Sequence, residues 1–183
     1  MEEPKKITIT LLFGLIAAGG MILLILCTYW AGPQAFLGNI GFLGYPMIIL
    51  LAAVAAVLEK RANGGVIEFR PALKAAFAVM VSGLVAKCLF TWLLLHVIDQ
   101  PFHQKLLPLV LENLVTRSRR FGIPENEIQR SLEAERGQDT FSLGRIVTGT
   151  GFSIILHFII AALIAATVRT RTLPLKKQEV KSI

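Results

Sequence analysis

Apolar residues in this chain do not alternate with polar ones at the period of a helix with one wet face. They run on in four blocks, Ile7–Trp30, Leu37–Leu58, Ala72–Ile98 and Ile146–Val168, each of 22 residues or more. Lys74 and Lys87 are the only charges in all four. A helix of a water-soluble domain keeps a polar stripe, so excluding charge from four such blocks points to hydrocarbon as the surrounding medium. Roughly 20 apolar residues, rising about 1.5 Å each, cross a bilayer core about 30 Å thick, and every block is long enough. A membrane barrel would show short segments alternating every second residue, and none is present. The pattern predicts an all-α, four-helix transmembrane bundle, a single integral-membrane domain over 1–183 with spans near 7–30, 37–58, 72–98 and 146–168.

The connections carry the polar residues. Between the second and third blocks, Glu59, Lys60 and Arg61 are followed by Asn63-Gly64-Gly65, a turn signal, and Pro71 suits the first turn of the next helix. The long connection, 99–145, is the one segment large enough to fold outside the bilayer, and it predicts two short helices. Asp99 is placed to cap the first, with Pro101 in its first turn; Leu107, Val110, Leu111 and Leu114 form one face, Pro108 delays or kinks it, and Gly122 ends it. The second starts near Pro124, carries Ile128 and Leu132 four residues apart, and stops at Gly137. Both are expected to lie with their apolar faces on the bundle mouth or the headgroups.

Composition sharpens this picture. The chain is 54% hydrophobic and 17% charged with a net charge of +7, and its mean hydropathy is +0.64. Eleven basic residues lie on the side that holds both termini and the 59–71 connection, against seven on the 99–145 side, where seven acids match them. The positive-inside rule therefore orients both termini to the cytoplasm. The basic balance then reads as a topological signal and an attraction for anionic membrane lipids, with no nucleic acid as partner. The first block follows Lys5 and Lys6 like a secretory signal, but it is too long and ends on Tyr29 and Trp30, so it is expected to be retained. Cys27 and Cys88 are too few for a disulfide framework or a zinc site and read as packing residues.

Candidate chemistry is sparse. An ammonium inside an apolar span costs on the order of 3 kcal/mol on insertion scales, which makes Lys87 a site candidate. His157 is its expected partner. Lys87 precedes the end of its span by as many residues as His157 follows the start of the last one, and both sit on stripes of small residues: Ala75, Val79, Gly83, Lys87, Thr91 and Gly149, Ser153, His157, Ala161, Ala165. The two are expected close together or sharing water, as a proton-responsive pair. The plainer reading has Lys87 snorkelling toward headgroups and His157 bonding a neighbour such as Ser153. His96, Asp99 and His103 are metal-ligand types at the end of the third span, but Gln100 and Pro101 interrupt their helix, and the reading favours Asp99 as a cap and no metal. Ser153 with His157 has nucleophile–base spacing but lacks an orienting carboxylate in any span. The loop acids and arginines read as a solvated face. No phosphate loop, dinucleotide fingerprint or zinc signature is present, so neither a cofactor nor a catalytic residue is expected.

The segments Asn63-Gly64-Gly65-Val66-Ile67-Glu68-Phe69, Ala72-Leu73-Lys74, Val97-Ile98-Asp99-Gln100-Pro101-Phe102 and Gly122-Ile123-Pro124-Glu125-Asn126-Glu127-Ile128, with the glycine-containing last span, resemble the bacterial membrane proteins grouped as domain of unknown function 4199. The motif positions are Gly64, Gly65, Phe69, Asp99 and Pro101; Lys87 is not among them. The resemblance covers nearly the whole chain and implies a four-span bacterial inner-membrane protein, from the Bacteroidota, with no activity assigned. The favoured expectation is a non-enzymatic accessory or scaffold subunit that binds an envelope lipid, another membrane protein or a second copy of itself. The alternative is a small transporter or channel component using Lys87 and His157.

Overall fold

The structure is a computed structural model that describes residues 4–136 and 138–170, and the side chains of 9–135 and 138–170. The predicted stop at Gly137 lies outside the described residues. The apolar blocks form α1 (Pro4–Trp30), α3 (Gly44–Ala62), α4 (Phe69–Leu93) and α7 (Leu143–Val168), with α2 (Pro33–Leu37), α5 (Gln100–Arg120) and α6 (Glu125–Arg136) between them. Four segments are long and apolar enough to span a membrane: Ile9–Trp30, Asn39–Ala62, Phe69–Ile98 and Leu143–Val168. The all-α class expected from the charge-poor blocks is what the described residues adopt.

Helix α4 is the hub. Its buried positions, Ala72, Ala75, Ala76, Val79, Met80, Gly83, Leu84 and Cys88, fall mostly in adjacent pairs on successive turns, so its buried face is wide enough for three neighbours. It packs on α1, α3 and α7, and α3 also touches α1 and α7. Among the described residues α1 and α7 do not meet. Ala17 and Met21 of α1, Ile48, Ala52, Ala55 and Ala56 of α3, Ala76, Val79, Met80 and Leu84 of α4, and Ala161 of α7 make one core. Small side chains dominate because apolar helices gain little from hiding Leu from lipid and much from close backbone approach. The large residues point the other way: Leu11, Leu15, Leu50, Leu89, Phe152, Ile155 and Leu163 are all exposed on the outer surface.

Several boundaries differ from the expected spans; the third span, for one, begins at Phe69 rather than Ala72. The second, expected over 37–58, is an α-helix only from Gly44: Leu37 ends the short α2, Gly38 is extended, and Asn39–Leu43 form a 3-10 turn. Gly38, Gly41 and Gly44 supply the break, since glycine is a poor helix former. At its other end α3 continues past Leu58 to Ala62, which places Glu59 inside the bundle, 6% exposed, accepting a 2.9 Å hydrogen bond from Thr10 Oγ1. The reading that no span holds a carboxylate is corrected by this extra turn. The last span begins at Leu143 rather than Ile146, so Arg145 stands in its first turn.

Gly64 (φ +68°) and Gly65 (φ +85°) make the left-handed turn between α3 and α4. The chain leaving α7 then pairs with this turn, Thr170 N–H donating to the Ile67 carbonyl at 2.9 Å, while Phe69 packs on Ile67, Ala72 and Ala165. At the opposite end, Leu94–Ile98 form a π-helical turn and Asp99 caps α5, accepting from Phe102 N–H at 2.9 Å. Pro101 is in the first turn of α5 as expected, and Gly122 (φ +71°) follows its end. Helix α5 is longer than the short helix anticipated and runs through Pro108. Its most buried apolar residues are Phe102 and Leu106, while Leu107, Val110, Leu111 and Leu114 are half-buried. Phe102 and Leu106 dock on Tyr29, Phe36 and Leu37 because α2 brings an apolar platform to that place. Ile128 and Leu132 are buried, as their spacing suggests, on the helix that pairs with α5.

Candidate functional site

Lys87 lies on the small-residue stripe of α4, half-buried, at the end of the bundle nearer the 99–145 loop. Its Nζ donates to the Tyr45 hydroxyl at 3.0 Å and stands 4.5 Å from the centre of the Tyr45 ring. Tyr45, in the first turn of α3, lies against His157 of α7, ring centres 5.5 Å apart. Tyr45 therefore stands between the two residues expected to be neighbours. Sequence reading missed it; the available signal was a polar-tipped aromatic next to a glycine near the start of an apolar span. His157 is 3% exposed. Its Nδ1 faces the Ser153 carbonyl at 2.6 Å, so Nδ1 carries the proton, and its buried Nε2 has no hydrogen-bond partner among the described residues. The Ser153 hydroxyl turns away to the Gly149 carbonyl, so the nucleophile–base pair is not assembled here.

Two cavities flank Lys87. One, of about 250 Å³, lies between α1, α2 and α3, bordered by Met21, Ile25, Thr28, Phe36 and Phe42. The other, of about 360 Å³, lies between α4 and α7, bordered by Leu84, Cys88, Gly149, Ser153 and Arg145. Tyr45, Lys87, Thr91 and Phe141 line both. The space on the α7 side exists because the α7 stripe is buried only at His157, Ala161 and Ala165, whereas Gly149 is exposed. Among the described residues no carboxylate pairs with Lys87. Arg145, at the edge of the second cavity, is already neutralised, bonding Glu135 and the Gln138 side-chain oxygen. The Thr140 hydroxyl and Arg145 hold the Glu135 carboxyl below the ordinary range.

The loop-side end carries a second cluster. Asp99 does not join His96 and His103 as a ligand set. It faces the other way, accepting from the Tyr29 hydroxyl at 2.7 Å as well as from Phe102, and these bonds, with Lys105 nearby, hold its carboxyl below the usual aspartate range. Asp139, from the segment after α6, takes that place, with Oδ2 2.9 Å from His96 Nε2 and Oδ1 3.1 Å from His103 Nε2. Burial pushes the Asp139 carboxyl up, but the bonds from His96 and the Phe141 amide and the two imidazoles outweigh it, so its pKa lies below normal.

Fold and site together define a small multi-span helical membrane protein with a charged group held inside its bundle. The family described as protein of unknown function (DUF4199) has a model that matches residues 12–170, and the chain belongs to that family. No curated protein and no solved structure matches it. The motif residues Gly64, Gly65, Phe69, Asp99 and Pro101 thus sit in the α3–α4 turn, its packing on α7, and the docking of α5, whereas Lys87, Tyr45 and His157 form the interior site.

Proposed function

We propose that this chain is a non-enzymatic accessory protein of a bacterial inner membrane, both termini cytoplasmic, which holds the anionic headgroup of an envelope lipid at Lys87. The observation that carries the reading is a half-buried ammonium without a carboxylate partner among the described residues, bordering two cavities whose other lining residues are mostly apolar or small. An ammonium in that setting gains most from a ligand that supplies the missing negative charge together with an apolar tail. Tyr45 holds Nζ in place, and Thr91 adds a hydroxyl to both cavities. A second membrane protein or a second copy of the chain could use the exposed apolar faces, but no charge or groove singles one out.

The test is lipid retention. The full chain is reconstituted in vesicles of phosphatidylglycerol and phosphatidylcholine, extracted in mild detergent and weighed by native mass spectrometry. The expected result is selective retention of phosphatidylglycerol, reduced roughly tenfold or more in Lys87→Met, the scale of one charge-assisted hydrogen bond. Equal retention of both lipids, or none lost in a folded Lys87→Met chain, overturns the proposal.

The transport reading rests on a different observation, the Nε2 of His157 beside Tyr45, which has no hydrogen-bond partner among the described residues. Proton uptake by proteoliposomes under an imposed potential, abolished in His157→Gln, would favour it.

A further inference from the structure

His96, His103 and Asp139 come from three separate elements, the π-helical turn, α5 and the segment between α6 and α7, and their nearest ligand atoms all lie within 4.8 Å of one another. Ligands bound roughly 2 Å from a tetrahedral zinc stand roughly 3.3 Å apart, so small side-chain rotations bring these three onto one ion. The orientation of His96 is fixed from behind. Its ring stacks on Trp92 at 16°, and its Nδ1 faces the Trp92 carbonyl at 3.2 Å, so the Nδ1 proton is donated there. Nε2 then faces a carboxylate oxygen 2.9 Å away, an approach that takes either a second proton on the ring or a bound cation. A carbonyl-bound imidazole with its other nitrogen aimed at a shared carboxylate is also the usual support of a metal ligand. His103 lies close by, ring centres 4.9 Å apart, with Nε2 turned to the other oxygen of the same carboxylate. Asp139 is 38% exposed, which gives an ion a path from solvent.

We infer that His96 Nε2, His103 Nε2 and Asp139 form a binding site for a divalent cation of the zinc class, with the fourth position open. Two imidazole nitrogens and one carboxylate oxygen suit zinc rather than magnesium or calcium, which take oxygen donors. The π-helical turn is what swings His96 out of the α4 register toward α5, and such turns recur at functional sites.

The experiment uses the full chain, purified without a histidine tag, stripped with a chelator and titrated with Zn²⁺ by calorimetry and with Co²⁺ by visible absorption. The expected result is one equivalent per chain, with the intense absorption of four-coordinate cobalt. His96→Gln, His103→Gln and Asp139→Asn each weaken binding at least about tenfold, while Glu125→Gln binds like the unaltered chain. Melting of each metal-free variant separates loss of a ligand from loss of fold, and the cobalt spectrum of the unaltered chain stands without any variant. Absence of a stoichiometric site in the unaltered chain, a six-coordinate cobalt spectrum, or folded variants with unchanged affinity overturns the inference and leaves a second proton on His96 as the cation.

Discussion

Gly83 sets how closely α4 approaches α3. A Cβ added there would stand 2.9 Å from Ile48 Cγ2, a distance that real side chains do not tolerate. Ile48 is branched and fully buried, so it cannot swing aside as the methionine facing Gly44 can. We expect Gly83→Leu to destabilise the chain in detergent by about 1–3 kcal/mol, the cost of overpacking a filled core. Truncating the opposing residue, as in Gly83→Leu with Ile48→Ala, should return part of that loss, with a coupling of at least about 0.5 kcal/mol between the two sites. Additive losses would show that the two positions do not meet. The Lys87 result belongs to the same scale, because exchanging one ammonium for a thioether separates charge from shape.

At the scale of elements, Asp99 joins α1 to α5: the Tyr29 hydroxyl and the Phe102 amide converge on one carboxylate. Its pKa is depressed in the fold, chiefly by the Tyr29 bond. The sign follows directly. An acid with a lowered folded pKa contributes stability above its unfolded pKa of about 3.9, and loses it as pH falls through the lower folded value. Thermal melts from pH 5 down to pH 2 should therefore show the α5 docking weakening below about pH 4, with Asp99→Asn flattening that part of the profile. An unchanged slope in Asp99→Asn would assign the acid sensitivity to the other carboxyls held below their ordinary range, Glu135, Asp139 and Glu125. Local features of this kind were legible in the sequence. A cap, a proline in the first turn, left-handed glycines and the Ile128–Leu132 pair are decided within a few residues of themselves. Tyr45 and Asp139 were not legible, because the contacts that matter, Lys87 with Tyr45 and His96 and His103 with Asp139, join residues 42, 43 and 36 positions apart. Equal depth placed Lys87 and His157 at the same level, but depth carries no information about which side chain of a third helix stands between them. Asp99 was read both as a cap and as a possible ligand, and the Tyr29 hydroxyl, which comes from another helix, turns it to the first role.

At the scale of the molecule, charge predicts the side on which the loop lies. On that side, Arg119 pairs with Glu125 and Arg145 with Glu135. On the opposite side, among the described residues, Lys60, Arg61, Arg70, Lys74 and Arg169 have no acidic partner; Lys60 instead donates to the Val168 carbonyl at 3.0 Å at the end of α7. Unneutralised Lys and Arg close to span ends are what the positive-inside rule weighs. Basic residues at an anionic cytoplasmic surface also gain about 1 kcal/mol each. We therefore expect Asn63 to face the cytoplasm and Glu125 the other side. In a chain with Cys27→Ser and Cys88→Ser, Glu125→Cys should react with a membrane-impermeant maleimide applied to intact spheroplasts, and Asn63→Cys only after permeabilisation. The reverse pattern would invert the molecule and place the His96–His103–Asp139 cluster in the cytoplasm. Reaction of both positions from one side would contradict the four-span fold itself, since the turn at Asn63 and the loop at Glu125 are separated by the whole length of α4. With the loop outside, zinc reaches that cluster from the envelope rather than from the cell, and metal added to intact spheroplasts should protect a folded Asp139→Cys chain from the same reagent.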